Sequence, residues 1–384
     1  MLELTDPLPP AAPESLGLDP GRLEALDRLV GHHLEEGRYP GCQVAVARRG
    51  QLGFFKTYGN ARLTPSPQPA TERTLWAMFS ITKVLVGMTL WTLVEEGRLS
   101  FADKVVDYIP EFGTKGKEKI TVAHLMRHEG GFPTADVSQA AWTDHDLLRR
   151  EVCDFEPEWE AGTHVRYHGL AGHWVLAVLL ESISGRDYRE VVKARVIAPL
   201  GLEAELYLGL PDGEVDRVAE ESFRRDMPKD NYFVMRVNTL EWQRAGVPGA
   251  GGLATARALA AVFQVVANGG RLGDRRLVSK RLLEHVARTH TGDDESILAN
   301  RGFSQRWALG ISVRSTGAYT PEAGSLASPT TMGHSGGNQA VAWGDPESGV
   351  SFAFMSNEFA PPGWDGERME KINNIVHAAI ETVS

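Results

Sequence analysis

Cysteine is scarce in this 384-residue chain: it holds only Cys42 and Cys153. Two thiols make no disulfide framework, and no histidine or cysteine cluster of zinc-finger spacing surrounds them, so both read as small apolar residues of the interior. Long apolar runs are missing too. The longest, Val84 to Val94, is broken by Gly87, Thr89 and Thr92 and bounded by Lys83 and Glu95, well short of the roughly 20 residues a bilayer span needs. The first residues, MLELTDPLPP, lack the basic and apolar regions of a secretory signal. Together these absences predict a soluble, cytoplasmic protein. Positive charge is in deficit, 40 basic against 50 acidic side chains for a net charge of −10. That field repels phosphate backbones and anionic headgroups, which excludes nucleic acid or a membrane as the main partner and favours a small ligand that is neutral or cationic. What remains is a chain with 42% hydrophobic residues, long enough for a large core without metals or disulfides.

Pro20 to Glu36 carries apolar residues at helical spacing, and Gly41 to Ala47 with Leu52 to Tyr58 reads as strand, tight turn, strand. From Ser80 to Gly97 one long amphipathic helix is expected, followed by helical periodicity at Thr121–His128, Asp144–Val152, Leu170–Ser184 and Tyr188–Ile197. After the glycine-rich turn Val247–Leu253 come helices near Thr255–Asn268 and Ser279–Arg288. Strand-like runs follow at Trp307–Val313, Gln339–Trp343 and Val350–Met355, then a terminal helix Asp365–Thr382. Strands at both ends with a helical middle predict an α/β (α+β) fold in which residues 1–75 and 245–384 form one sheet domain and 76–244 a mostly helical one.

The sharpest chemical signal is Ser80-Ile81-Thr82-Lys83. Positions i and i+3 of a helix share a face, so the Lys83 amine reaches the Ser80 hydroxyl, and the helix start adds free backbone N–H groups. A lysine in water has a pKa of about 10.4 and becomes a base only when burial disfavours its ammonium form. The apolar neighbours Trp76, Met78, Phe79 and Val84 to Val86 would supply that burial. Taken alone, the same four residues also describe a serine-capped helix start with a solvated lysine.

Five blocks in order change that balance. Thr74–Lys83, Val122–Pro133, Pro248–Arg257, Asn268–Leu277 and Gly333-His-Ser-Gly-Gly337 together resemble the serine β-lactamase and penicillin-binding-protein superfamily, most closely its class C β-lactamase and family VIII carboxylesterase branch. The resemblance implies a central antiparallel sheet flanked by helices, with a cleft between sheet and helical domains. It implies Ser80 as nucleophile, Lys83 and Tyr167 as proton-transfer groups, and the backbone N–H groups of Ser80 and Gly337 as an oxyanion hole. His334, Ser335 and Gly336 would contact substrate, with no metal and no cofactor. Two departures matter: His168-Gly169 replaces the small polar residues that usually follow the tyrosine, and His334 stands where β-lactamases carry a lysine for the substrate carboxylate. Both favour a small uncharged ester over a lactam. An amide, β-lactam or D-amino-acid peptide hydrolase, an acyltransferase, and a catalytically silent binding protein of the same fold are the alternatives.

Competing motifs are present. Gly333-His-Ser335-Gly-Gly337 also fits a nucleophile elbow with Asp365 and His377 following in triad order. His124 and His128 have metal-ligand spacing but lack the glutamate and a third ligand. Gly249–Ala254 imitates a dinucleotide loop without its preceding strand, and Arg271–Arg281 reads as a solvated surface turn. Trp142, Trp159, Trp242, Trp307 and Phe233 are candidates for an aromatic pocket, shaped by the loops Pro133–His145 and Leu208–Gln243.

Overall fold

The computed structural model describes residues 6–223, 235–292, 305–317, 320, 322–337, 339–360 and 362–382; Phe233 lies outside them. Gly41–Arg48 (β1) and Gln51–Arg62 (β2) form the expected hairpin. The two residues between them, Arg49 and Gly50, both have positive φ, 54° and 74°, the turn whose twist matches the strands it joins. Six more strands follow, Gln68–Pro69 (β3), Arg306–Trp307 (β4), Ser312–Val313 (β5), Met332–Gly336 (β6), Ala340–Asp345 (β7) and Val350–Ser356 (β8). All eight make one antiparallel sheet in the order β4-β5-β6-β7-β8-β1-β2-β3. The run expected as one strand from Trp307 to Val313 is β4 and β5 paired with each other, because the chain reverses at Gly310, φ 87°.

Five helices position the site: Pro20–Glu35 (α1), Thr82–Glu95 (α2), Ala171–Ser184 (α3), Ala256–Ala267 (α4) and Pro362–Ala378 (α5). The central strands alternate by size. Val44, Val46, Val341, Trp343, Phe352 and Phe354 form a core with Leu23, Leu26 and Val30 of α1 and Met369, Ile372 and Val376 of α5. The opposite face presents Ala45, Ala47, Ala340, Ala342 and Ala353 to α4. Small side chains there let backbones approach: a Cβ on Gly344 would lie 2.4 Å from the Phe263 carbonyl oxygen. The helical middle contains the expected segments at Val122–Met126, His145–Asp154, α3 and Tyr188–Val192. Among the described residues, no helix is long and apolar enough to cross a membrane.

One expectation changes in kind. α2 is not amphipathic: every residue from Thr82 to Leu93 is buried, and the helix begins at Thr82 after a 3₁₀ turn, Phe79–Ile81. A helix enclosed on all sides is mostly apolar, and its buried polar groups need partners: the Thr89 and Thr92 hydroxyls bond the Leu85 and Thr89 carbonyls. Gly87 gives the closest approach, since a Cβ there would sit 3.0 Å from the Gly310 carbonyl oxygen, and Trp91 Nε1 donates to the Leu309 carbonyl at 2.8 Å.

Arg48 ties distant parts of the chain together. It is fully buried; its Nε donates to the Ser348 carbonyl at 2.8 Å, Nη1 to the Leu16 carbonyl at 2.8 Å, and Nη2 to the Thr382 carbonyl. Replacing it by Met keeps most of the volume and leaves those carbonyls without their donor. Arg48→Met is expected to lower stability by about 2–4 kcal/mol, read as a lower denaturant midpoint at unchanged slope; an unchanged midpoint would remove Arg48 as the tie between the chain's ends.

Candidate active site

Ser80 sits in the 3₁₀ turn that precedes α2. The residue before it, Phe79, has φ 45°, a left-handed conformation that a bulky side chain adopts only when its surroundings enforce it. The enforcement comes from β6 and the turn beyond it. A Cβ on Gly336 would lie 2.2 Å from the Met78 carbonyl oxygen, and one on Gly337, itself at φ 58°, would lie 2.9 Å from the Phe79 ring. The Phe79 ring packs edge-on against Phe359 at 5.0 Å. The glycines at 336 and 337 thus admit the strained turn that presents the serine.

Lys83 lies one turn into the buried helix and is 1% exposed. Its Nζ is 3.1 Å from Ser80 Oγ and donates to the Gly249 carbonyl at 2.7 Å. The glycine-rich turn is therefore a receptor for the lysine, not a nucleotide loop. Burial lowers the Lys83 pKa to about 7, because desolvation penalises the ammonium form. At neutral pH a large fraction of this amine carries a free lone pair, 3.1 Å from a hydroxyl.

Tyr167 stands over the pair. Lys83 Nζ is 5.0 Å from its ring centroid, and the ring stacks on Trp307 at 5.0 Å and 25°. Around them are buried histidines whose backbone partners fix their tautomers. His168 Nδ1 donates to the Arg166 carbonyl at 2.7 Å, so its Nε2 accepts from the Phe132 N–H at 3.1 Å. His128 Nδ1 accepts from the His168 N–H at 3.2 Å. His334 Nδ1 lies 2.6 Å from the Ser335 carbonyl and must donate to it, which leaves Nε2 bare, buried and without a partner. Burial pushes the His168 pKa down to about 4 and, with Lys83 adding to the effect, that of His334 to about 3. Neutral imidazoles therefore surround the lysine.

A pocket of about 120 Å³ opens at this point, lined by Ser80, Tyr167, Gln305, Trp307, His334, Ser335 and Gly337. It brings together residues that the sequence scatters from 80 to 337, with Lys83 beneath Ser80. Gly336 is not on the lining and packs against Met78 instead. The elbow reading fails on geometry. Ser335 is inside β6 and is followed by a turn and β7 rather than a helix; His377 Nε2 bonds the Ala323 carbonyl at 2.8 Å, and Asp365 pairs with Arg368. His124 Nδ1 caps its own short helix through the Thr121 N–H at 3.3 Å and shares no ligand geometry with His128. Arg271–Leu272 and Arg275–Arg276 form a small hairpin. Of the aromatic candidates Trp307 lines the pocket, whereas Trp142 and Trp242 pack on each other at 5.5 Å.

Sequence reasoning missed the Gly249 carbonyl, Gln305 and Glu322, whose carboxylate accepts from Ser335 Oγ. The glycine-rich turn was a usable signal for the first. Nothing local marks the other two, of which Gln305 lines the pocket and Glu322 stands behind Ser335, brought there by the pairing of β4, β5 and β6.

Comparison with known proteins agrees with this geometry. The chain matches the family model described as Beta-lactamase over residues 26–374. It is 25% identical to a protein of Escherichia coli (strain K12) named putative D-alanyl-D-alanine carboxypeptidase, across 93% of this chain and 87% of that one. It is 26% identical to an esterase/beta-lactamase of Mycobacterium tuberculosis (strain ATCC 25618 / H37Rv), across 74% and 70% respectively. Among solved structures, that of a family VIII carboxylesterase superposes with a TM-score of 0.80 at 26% identity, covering 93% of this chain and 98% of the other. With the serine, the buried lysine and the antiparallel sheet in place, the chain belongs to the beta-lactamase family and is a serine hydrolase with the β-lactamase/transpeptidase fold.

Proposed function

We propose that the chain hydrolyses small carboxylic esters through an acyl-enzyme on Ser80, in a cleft between a sheet domain (1–75 and 245–384) and a helical domain (76–244). The observation that carries the reading is the buried Lys83 amine, bonded to Ser80 and brought by burial to a pKa of about 7. As Oγ of Ser80 bonds to the ester carbonyl carbon, its proton passes to the neutral Lys83. Tyr167, whose ring faces that amine, shares the transfer. The N–H groups of Ser80 and Gly337 take the oxyanion, as their common place on the pocket wall supports. Collapse expels the alcohol, which leaves with a proton from the same lysine and tyrosine pair. Water then attacks the acyl group by the reverse route and restores Ser80.

Three features favour an ester over a lactam or peptide. The His168 ring is committed to the Phe132 N–H and the Arg166 carbonyl, so it does not replace a side-chain amide that would hold a substrate amide. The neutral His334 gives no charge to a substrate carboxylate. The pocket, at about 120 Å³, suits a short acyl chain.

A panel of p-nitrophenyl esters, a chromogenic cephalosporin and D-alanyl-D-alanine tests this reading. Short-chain esters are expected to turn over and Ser80→Ala to abolish it; rapid turnover of the cephalosporin or dipeptide with no ester cleavage would reverse the assignment. Because the active lysine is the deprotonated form, kcat/KM should rise about tenfold per pH unit below pH 7 and level above it. A profile flat from pH 5 to 8 would take the base role away from Lys83. Gly336→Ala should fold yet lose at least about 100-fold in acylation rate, since its Cβ drives into the Met78 carbonyl and shifts the nucleophile turn. Wild-type acylation by a fluorophosphonate probe would show that the turn tolerates the shift.

A further inference from the structure

A second cavity, about 240 Å³, lies where the end of β2 meets the segment Val215–Glu220 and the short helix Leu240–Ala245. It shares no lining residue with the pocket at Ser80. Its walls are tied together by the fold. The Glu220 N–H donates to the Ala61 carbonyl at 2.8 Å and the Glu220 carbonyl accepts from Asn357 Nδ2 at 3.1 Å, which fixes this segment to β2. Just before the helix, the Asn238 side-chain amide bonds both the N–H and the carbonyl of Glu221, at 2.9 and 2.8 Å.

Arg62 and Glu220 bring opposite charges to this one cavity without meeting each other. A guanidinium has five N–H donors. Arg62 gives one from Nε to the Val218 carbonyl at 3.2 Å and one from Nη2 to the Val215 carbonyl at 2.9 Å, so three remain, the two on Nη1 among them. The Glu220 carboxylate accepts the Thr64 hydroxyl, which lies 3.0 and 3.3 Å from its two oxygens. Among the described residues Arg62 pairs with no carboxylate and Glu220 with no cation, whereas Arg217 nearby pairs with Glu214. The rest of the lining is built for a ligand with an apolar part. Val218 is buried, Leu240 is 39% exposed despite being apolar, and Gln243 is 7% exposed with its Oε1 lacking a hydrogen-bond partner.

One fixed cation and one fixed anion make the lining neutral as a whole. A ligand with a single charge pairs with one of them and meets the other as a like charge, while a ligand with both charges complements both. The volume, below the roughly 300–1,000 Å³ of sites for drug-sized molecules, sets a small size. From this we infer that the cavity is a second binding site, for a small zwitterion: a free amino acid whose carboxylate pairs with Arg62, whose ammonium pairs with Glu220 and whose apolar side chain covers Leu240. The inference is independent of the ester-hydrolase reading of the catalytic cleft.

The test is a ligand-observed NMR titration at neutral pH of the intact chain carrying Ser80→Ala, so that no probe is turned over. The probes are D- and L-leucine, leucinamide, which lacks the carboxylate, and 4-methylpentanoate, which lacks the ammonium. One enantiomer of leucine is expected to bind with a Kd of about 1 mM or below, and each analogue at least about tenfold more weakly. Arg62→Gln should erase the advantage of leucine over leucinamide, and Glu220→Gln its advantage over 4-methylpentanoate, each leaving the other discrimination in place. No binding of either enantiomer below about 10 mM, or an analogue that binds as tightly as leucine, would overturn the inference. So would discrimination unmoved by both variants, or affinities for all probes that fall together in both, since a site that merely loses its packing behaves that way.

Discussion

The proposed chemistry of this chain depends on one amine kept out of water. Lys83 is buried because it stands on a helix enclosed on every side, with the Leu309–Gly310 backbone on one flank and α3 with its neighbours on the other. A lysine in such a place has lost its hydration shell and gets back only the Gly249 carbonyl and the Ser80 hydroxyl. The same desolvation that makes it a base at neutral pH opposes folding, since the unfolded chain binds its proton up to a pKa of about 10.4. Between the folded value near 7 and the unfolded value, raising the pH relieves that penalty. The apolar bulk of α2, all the way to Leu93, is the counterweight.

The histidines extend the same logic. In water an imidazole near neutrality is a mixed population, but each of His128, His168 and His334 meets a backbone atom that fixes whether its Nδ1 carries a proton. Carbonyls at Arg166 and Ser335 demand a proton, and the His168 N–H demands a lone pair. Main-chain geometry thus sets much of the polarity of the cleft, beside the amine of Lys83.

Much of this is legible in the order of residues alone. Hairpin, helical middle and returning strands follow from period and turn residues, as Arg49-Gly50 shows; Ser80, Lys83 and Gly337 come from ordered motif blocks and Tyr167 from the family resemblance, and the pocket brings Ser80, Tyr167 and Gly337 together above Lys83. What is not legible has a common cause. The apolar run after Ser80 looks amphipathic when Thr89 and Thr92 are counted as polar, yet both hydroxyls bond carbonyls of their own helix, at Leu85 and Thr89, and the helix is buried throughout. Gly310 splits an expected strand because Gly87, far off in sequence, needs its backbone close. Glu322 meets Ser335 only once the chain has folded. Each depends on a partner from a distant part of the chain, which no local pattern encodes.

The tie made by Arg48 has a bearing on how the molecule comes into being. β1 lies between β2, made just after it, and β8, made some 300 residues later, and its terminal guanidinium finds the Ser348 and Thr382 carbonyls only then. On the ribosome the Ser80 turn and α2 emerge long before the strand that shapes that turn. β6 and the turn beyond it supply the glycines against which Phe79 is held and one wall of the pocket. Vectorial synthesis therefore delivers the serine and its lysine early and their working geometry last, so that a nascent or truncated chain holds the reagents without the reactor.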